Sequence, residues 1–281
     1  MEEVLHEDFR LKLKMNKVLF DSKSDHQRLV LFENGSFGRV LTLDDVVQTT
    51  ERDEFIYHEM LSHLPILAHG SVNSVLIIGG GDGGMAEEVL KHKSVDRLVQ
   101  VEIDRSVVEF SKTYLGDICR GAYDDPRLAL VIADGIEFVT TTEERFDLII
   151  VDSTDPVGPG EVLFTEPFYG GCKRVLKKDG VVVTQNGVPF LQGGELADSL
   201  SYLAPLFQDV TCYLATIPTY AGGPMAFGWA SDAAKHRETS LEILSSRYEA
   251  SGISTDYYNP EVHKAAFALP NYLKRLLPEA A

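Results

Sequence analysis

The chain is expected to fold as an α/β protein: a methyltransferase-like Rossmann domain, mostly parallel and doubly wound, preceded by a small antiparallel β-domain. Three observations predict this. Unbroken apolar runs alternate with helix-length segments from Val75 onward. A glycine-rich turn follows the first of those runs, and a different, hairpin-punctuated texture occupies the first 50 residues. Apolar strands without polar alternation belong to parallel sheets covered on both faces, and their alternation with helices gives βαβ units.

In the N-terminal part, Leu11, Leu13 and Met15 alternate with lysines, the period of a half-buried strand. Leu29-Val30-Leu31-Phe32 runs into Asn34-Gly35, and Val40-Leu41-Thr42-Leu43 into Asp44-Asp45, two hairpin signals. Residues 1–50 are therefore expected to form a β-domain and residues 51–281 the Rossmann-like domain. From Glu51 the period becomes helical, with Phe55, Met60, Leu61 and Leu64 on one face and Pro65 as the expected stop. The predicted core strands are Val75–Ile78, Leu98–Val101, Leu128–Ile132, Leu148–Val151 and Val181–Thr184, with helices such as Ser106–Tyr114 and Phe168–Leu176 between them. Val210–Ala215 and Met225–Ala230, separated by the turn-rich stretch 218–224, predict an antiparallel C-terminal hairpin at the sheet edge.

Composition narrows the function. With 26 basic and 43 acidic residues the formal net charge is −17, a field that repels phosphate backbones and attracts cations. Nucleic acid is therefore not an expected partner. No apolar run reaches the roughly 18 residues of a membrane span, so no membrane partner is expected. The acidic start, Met1-Glu2-Glu3-Val4-Leu5-His6-Glu7-Asp8, lacks the pattern of a signal peptide. Cys119, Cys172 and Cys212 are widely spaced and form no CxxC pair, which suits reduced thiols and a cytoplasmic location. No ligand-spaced His/Cys cluster is evident, so no metal is expected.

The chemistry-bearing residues gather at strand ends. Gly79, Gly81 and Gly84 fit G-x-G-x-x-G directly after a strand. Glu102 ends the next strand, 20 residues beyond Asp82 (102 − 82), where an acid can accept ribose hydroxyls. A third strand ends at Asp134-Gly135, where a carboxylate could accept from an adenine amino group. The pattern predicts a nucleoside ligand in the crevice at the strands' carboxyl ends. Asp82 inside the glycine loop would repel a pyrophosphate and suits a cationic sulfonium nucleoside instead. Asp152-Ser153-Thr154-Asp155 follows a fourth strand on the same edge, with Pro156 and Pro159 stiffening the loop. Seen alone, Asp-x-x-Asp is more often a cap or turn; its place on the ligand edge points to function. His63 and His92 read as helix-surface histidines, Trp229 as edge-strand core, and Cys172 as packing.

Several long ordered stretches together resemble the spermidine synthase (polyamine aminopropyltransferase) family. They are Asp25-His26-Gln27, Gln48 to Met60, Gly79–Gly84, Val101 to Asp104, Asp152–Pro159, Gln185-Asn186-Gly187, Ile217 to Tyr220, Tyr257 to Pro260 and Ala265-Ala266-Phe267. The resemblance runs from about Leu19 to Leu273. It implies an enzyme that transfers the aminopropyl group of decarboxylated S-adenosylmethionine, a co-substrate, to putrescine, giving spermidine and methylthioadenosine. It implies that Glu102 holds the ribose and Asp134-Gly135 the adenine, with Gln27 touching the nucleoside beside Gly79 and Gly81. Asp82 would meet the ammonium of the aminopropyl arm, and Pro159 would lie in the loop over the site. Asp152 would accept the proton, and Tyr57, His58, Asp155 and Tyr220 would orient the diamine. A homo-oligomer, dimer or tetramer, with the β-domain at the interface is likewise implied. The family's aromatic residue near the chain start aligns with Met1, which leaves acceptor length open. Competing readings are an S-adenosylmethionine-dependent amine N-methyltransferase, whose donor would bring a carboxylate towards Asp82, a non-catalytic polyamine- or nucleoside-binding protein, and a dehydrogenase, for which no hydride-transfer signature is present.

Overall fold

The computed structural model describes residues 1–6, 8–24, 26–156 and 158–278, with the backbone alone at 158 and 159. Asp25 and Val157, inside two of the family-like stretches, lie outside the described residues.

The N-terminal part opens with a short antiparallel pair, β1 (Glu2–Glu3) and β2 (Leu11–Lys12). The alternation of Leu11, Leu13 and Met15 therefore produces a two-residue strand, while Leu13 is nonetheless buried. A four-stranded antiparallel meander follows: β3 (Lys17–Lys23), β4 (Arg28–Asn34), β5 (Gly38–Leu43) and β6 (Val46–Thr50). Asp44 and Asp45 both take positive φ, 47° and 64°, as the mirror-image turn that joins twisted strands requires.

Helix α1 (Glu54–His69) runs through Pro65 instead of stopping there. It is buried almost all round, so packing outweighs the one hydrogen bond that proline removes. It ends at Gly70, φ 78°, whose N–H reaches the Ile66 carbonyl at 2.8 Å.

The seven-stranded sheet has the order β12-β13-β11-β10-β7-β8-β9. Its strands are β7 (Ser74–Gly79), β8 (Arg97–Glu102), β9 (Leu128–Ile132), β10 (Phe146–Asp152), β11 (Leu176–Gln185), β12 (Asp209–Ala215) and β13 (Met225–Ser231). β13 alone runs against the direction of the other strands, antiparallel to both β11 and β12, and with β12 makes the expected C-terminal hairpin. Consecutive residues of the central strands feed two cores. Val75, Ile77, Leu148 and Ile150 pack beneath α1 and α2 (Gly84–Leu90) on one face. Leu76, Ile78, Ile149 and Val151 face the other core. There they meet Val139 of α5 (Gly135–Thr141) and Phe168, Tyr169 and Cys172 of α6 (Glu166–Val175), two helices that follow α3 (Arg105–Tyr114) and α4 (Gly116–Cys119) in the chain. This two-sided burial explains the unbroken apolar runs. Val107 and Phe110 of α3 pack against Leu29, Leu31 and Leu41, which joins the β-meander to the larger sheet.

Two side chains sit deeper than expected. His63 and His92 are buried, not on helix surfaces, with His63 Nδ1 and His92 Nε2 2.9 Å apart. Burial pushes both down to about 3, so they stay neutral. Trp229 is fully buried on β13, one strand in from the edge, and its indole N–H donates to Asp209 at 3.1 Å. The chain continues through α7 (Pro189–Leu203), α8 (Leu241–Ser251), α9 (Pro260–Ala266) and α10 (Asn271–Lys274). No described helix is long and apolar enough to cross a membrane.

Candidate functional site

A cleft opens along the carboxyl ends of β7, β8, β9 and β10, walled on the far side by β5, β6 and the segment containing Glu3 and Phe9. Eight carboxylates line it, and among its described lining residues there is no lysine or arginine. Such a cleft selects cations and disfavours phosphates.

The backbone explains how acids can crowd there. Gly79 ends β7 at φ 91°, where a Cβ would lie 2.1 Å from the Asp152 carbonyl oxygen. The glycine thus lets strands β7 and β10 deliver their loops to one point. Gly81 lies against Glu102, and its carbonyl accepts from the Tyr123 hydroxyl at 2.8 Å. Gln100, a polar residue in an otherwise apolar strand, donates to the carbonyls of Gly79 and Gly80 at 3.0 and 2.6 Å and fixes the loop.

At the end of the cleft where the sequence predicts a nucleoside, Glu102 accepts the Asp104 N–H at 2.9 Å, and burial pushes it up to about 7 despite that bond. Gln27 of the meander's β3–β4 connection donates to Asp104 at 3.4 Å and lines the cleft. Asp134 caps α5, accepting the Ile136 N–H at 2.9 Å, and Gly135 follows it against Ile78. The turn of residues 158–164 covers this end with Leu163, beside Gly135. Pro159 falls in that turn, and its side chain lies outside the described residues.

At the other end Asp152 is the hub. The Tyr57 hydroxyl donates to Asp152 Oδ1 at 2.6 Å. Burial raises the Asp152 carboxyl, His58 lowers it, Asp82 raises it and Tyr57 lowers it, leaving it at about 6. Tyr57 itself is pushed well above its ordinary value by burial and then by Asp152, so it is a donor and not a base. His58, on the next position of α1, lies with Nδ1 2.6 Å from Glu54 and Nε2 3.6 Å from Asp82. Burial alone would discharge it, but Asp82 and Glu54 hold it up to about 10, a fixed imidazolium. Asp82 Oδ1 accepts the Gly84 N–H at 3.0 Å. Burial raises the Asp155 carboxyl, offset by the amides of Gln185 and Gln192; Gln185 donates at 3.3 Å. Tyr220 stands edge-on to Tyr57, centroids 6.2 Å apart, and its hydroxyl donates to the Gln48 carbonyl.

All the expected side chains that are described therefore border one cleft. Sequence reading missed Glu3, Glu54, Phe9, Gln185 and Gln192 as lining residues. Gln185 sat in a family-like stretch, and Glu54 lies one turn before His58. Leu5, His6 and Phe9 line the cleft, whereas Met1, the position aligned with the family's aromatic residue, packs into the core of the meander.

Residues 54–240 match a family model described as the spermine/spermidine synthase domain, and residues 2–51 match the spermidine synthase tetramerisation domain. A polyamine aminopropyltransferase of Ruegeria sp. (strain TM1040) is 63% identical over 276 residues, 98% of this chain and 97% of that protein. One from Salmonella newport (strain SL254) is 55% identical over 271 residues, 96% of this chain and 95% of the relative. Among solved structures, a spermidine synthase in complex with the transition-state analogue AdoDATO superposes with a TM-score of 0.91 at 41% identity, covering 96% of this chain and 91% of the other. The spermidine synthase from Thermotoga maritima gives 0.88 at 39%, covering 96% and 90%.

Proposed function

The chain belongs to the spermidine synthase (polyamine aminopropyltransferase) family, and from that premise we propose how its cleft performs the family's reaction. The reaction is aminopropyl transfer to make spermidine, with decarboxylated S-adenosylmethionine as co-substrate. Putrescine is the acceptor in this reading, and methylthioadenosine the second product.

The observation that carries the reading is the lining of the cleft: carboxylates along its whole length and no described lysine or arginine. Both substrates are cationic. Glu102 would accept the ribose hydroxyls, Asp134-Gly135 would receive the adenine, and Gln27, Gly79, Gly81 and Pro159 would enclose the nucleoside. Asp82 would hold the ammonium of the aminopropyl arm. Tyr57, His58, Asp155 and Tyr220 would orient the diamine against it.

The attacking amine must be neutral. With lysine's reference value of about 10.4 as a proxy, deprotonation near pH 7 costs roughly 4–5 kcal/mol. Asp152, at about 6, is a carboxylate at neutral pH and would accept that proton as the nitrogen advances. The nitrogen then forms a bond to the carbon beside sulfur. The C–S bond breaks, its electron pair stays on sulfur, and the sulfonium charge is neutralised. The remaining contribution is alignment of nitrogen, carbon and sulfur in a rigid cleft. A methyl donor bearing an intact methionine carboxylate would face Asp82, which disfavours the N-methyltransferase alternative.

The chain is a homo-oligomer in this reading, supported by the tetramerisation-domain match over residues 2–51. The division into a β-domain, 1–50, and a catalytic domain, 51–281, goes with it. A cytoplasmic location is also proposed, supported by three buried, free cysteines.

The test is a product assay by mass spectrometry with putrescine and either decarboxylated or intact S-adenosylmethionine. Spermidine with methylthioadenosine from the decarboxylated donor alone is expected. N-methylputrescine from the intact donor, without spermidine, would overturn the reading.

A further inference from the structure

Beyond Asp155 the cleft is backed by a carboxylate that neither the motifs nor the reaction has used. Helix α7 is broken at Gln192, whose backbone leaves helical geometry (φ −118°, ψ 32°). The Gln192 side chain is buried and lines the cleft. Its Oε1 accepts the Val188 N–H at 2.9 Å, and its Nε2 donates to Glu195 Oε1 and Oε2 at 3.3 and 3.2 Å. The same amide and Asp155 line the same end of the cleft, and its dipole helps to lower the Asp155 carboxyl against the effect of burial. Room for it exists only because residue 187 is glycine. Gly187 has φ +60°, and a Cβ there would lie 2.5 Å from Gln192 Oε1. One immobilised amide thus stands between two carboxylates, Asp155 and Glu195.

We propose that Glu195 is a positioning residue for the acceptor: through Gln192 it fixes the Asp155 carboxylate and adds a second negative charge at the end of the cleft that receives the diamine's non-reacting ammonium. This rests on the reading of Asp155 as a diamine ligand. The arrangement recognises an aliphatic amine with a second cationic nitrogen; a monoamine leaves that end of the cleft unfilled.

The electrostatics agree. Burial, then the charge of Asp155, pushes Glu195 up to about 7. Glu3, itself raised by burial and Asp155, and His6, whose charge lowers Asp155, face the same carboxylate from the N-terminal segment. An incoming ammonium relieves the repulsion among these acids.

The experiment compares wild type, Glu195→Gln, Gly187→Ala and Asp155→Asn, with putrescine and with 1-aminobutane as acceptors and saturating decarboxylated donor. In Glu195→Gln the KM for putrescine is expected to rise about 10-fold, the effect of one nearby charge in a partly solvated site. Its kcat and the donor KM stay within about 2-fold, 1-aminobutane kinetics do not change, and the dependence of putrescine kcat/KM on pH flattens near 7. Gly187→Ala, which displaces Gln192 without touching either acid, raises the putrescine KM in the same way. An unchanged putrescine KM in Glu195→Gln alongside a raised one in Asp155→Asn overturns the inference and spares the role of Asp155. A loss in kcat and both KM values together also overturns it, because Glu195 would then only hold the helix. An unchanged putrescine KM in Asp155→Asn removes the underlying reading of Asp155.

Discussion

Replacing Tyr57 by phenylalanine removes the hydroxyl that donates to Asp152 Oδ1 at 2.6 Å and little else, since the ring remains packed beside Phe227 and Tyr220. That bond stabilises the ionised form of Asp152, whose carboxyl sits at about 6. A hydrogen bond to a charged group is worth roughly 1.5–3 kcal/mol, and 1.36 kcal/mol moves a pKa by one unit. Asp152 should therefore rise by about 1–2 units, to roughly 7–8. With Asp152 as the proposed base, acting as a carboxylate, activity is expected above its pKa and is lost as pH falls through it. The acid limb of the profile must then move to higher pH. At pH 7 the ionised fraction falls from about 0.9 to between roughly 0.1 and 0.5, a loss of about 2- to 10-fold in kcat/KM. The assay is the initial rate of methylthioadenosine release at limiting putrescine and saturating donor, from pH 5.5 to 9.5 in about half-unit steps. The ratio of variant to wild-type activity should rise to a plateau near pH 9, where Asp152 is ionised in both proteins and only Tyr57's part in orienting the diamine is missing. An acid limb that stays in place, or a loss of equal size at every pH, refutes the claim that Tyr57 holds the charge of Asp152.

Glu102→Gln should raise the KM for decarboxylated S-adenosylmethionine by at least about 10-fold, through lost charged hydrogen bonds to the ribose. The same change should stabilise the free protein at pH 8. The folded-state value of Glu102, about 7, lies above that of an unfolded carboxyl, so the unfolded chain releases its proton first and stability declines between about 4.5 and 7. The gain in unfolding free energy at pH 8, up to about 3 kcal/mol, is read by denaturant titration, and its absence would show that Glu102 is not strained in the empty site. Glu59→Ala leaves without a partner three backbone N–H groups, those of Asp256, Tyr257 and Tyr258, which Glu59 accepts at 2.7, 2.9 and 2.6 Å. A loss of about 3 kcal/mol in the same titration is expected, and a change below about 1 kcal/mol would contradict the clamp. Gly79→Ala places a methyl against the Asp152 carbonyl in a left-handed backbone, so catalysis should fall more than 100-fold even where circular dichroism shows a folded chain.

Much of this site could be read from the chain because its residues sit at strand ends. Val75–Ile78 and Leu148–Val151 announce buried strands by their unbroken apolar character, Leu98–Val101 does so despite Gln100, and the acids follow them within a few positions. What was hidden depends on distant packing. Pro65 stops an isolated helix but not one buried on nearly every side. His63 and His92 look like surface residues until α1 is placed against α2 and the two rings meet. Phe9 and Glu3 carry no motif and reach the cleft only because the first strand pair folds against the meander. Glu195 matters through Gln192, and nothing in the local sequence tells that the helix breaks there.

One of the eight carboxylates that line the cleft, Asp53, has a wider reach. Asp53 accepts from the Thr50 hydroxyl at 2.6 Å, at the end of β6, and from the Thr219 N–H at 2.8 Å, one residue before Tyr220. With Tyr220 bonded to Gln48, the acceptor wall hangs from the last strand of the small meander. The meander lies within the span of the tetramerisation-domain match. The meander and the wall carrying Tyr220 are thereby mechanically linked. A protease nick in the meander is therefore expected to weaken putrescine binding although every residue proposed to touch the diamine stays chemically intact.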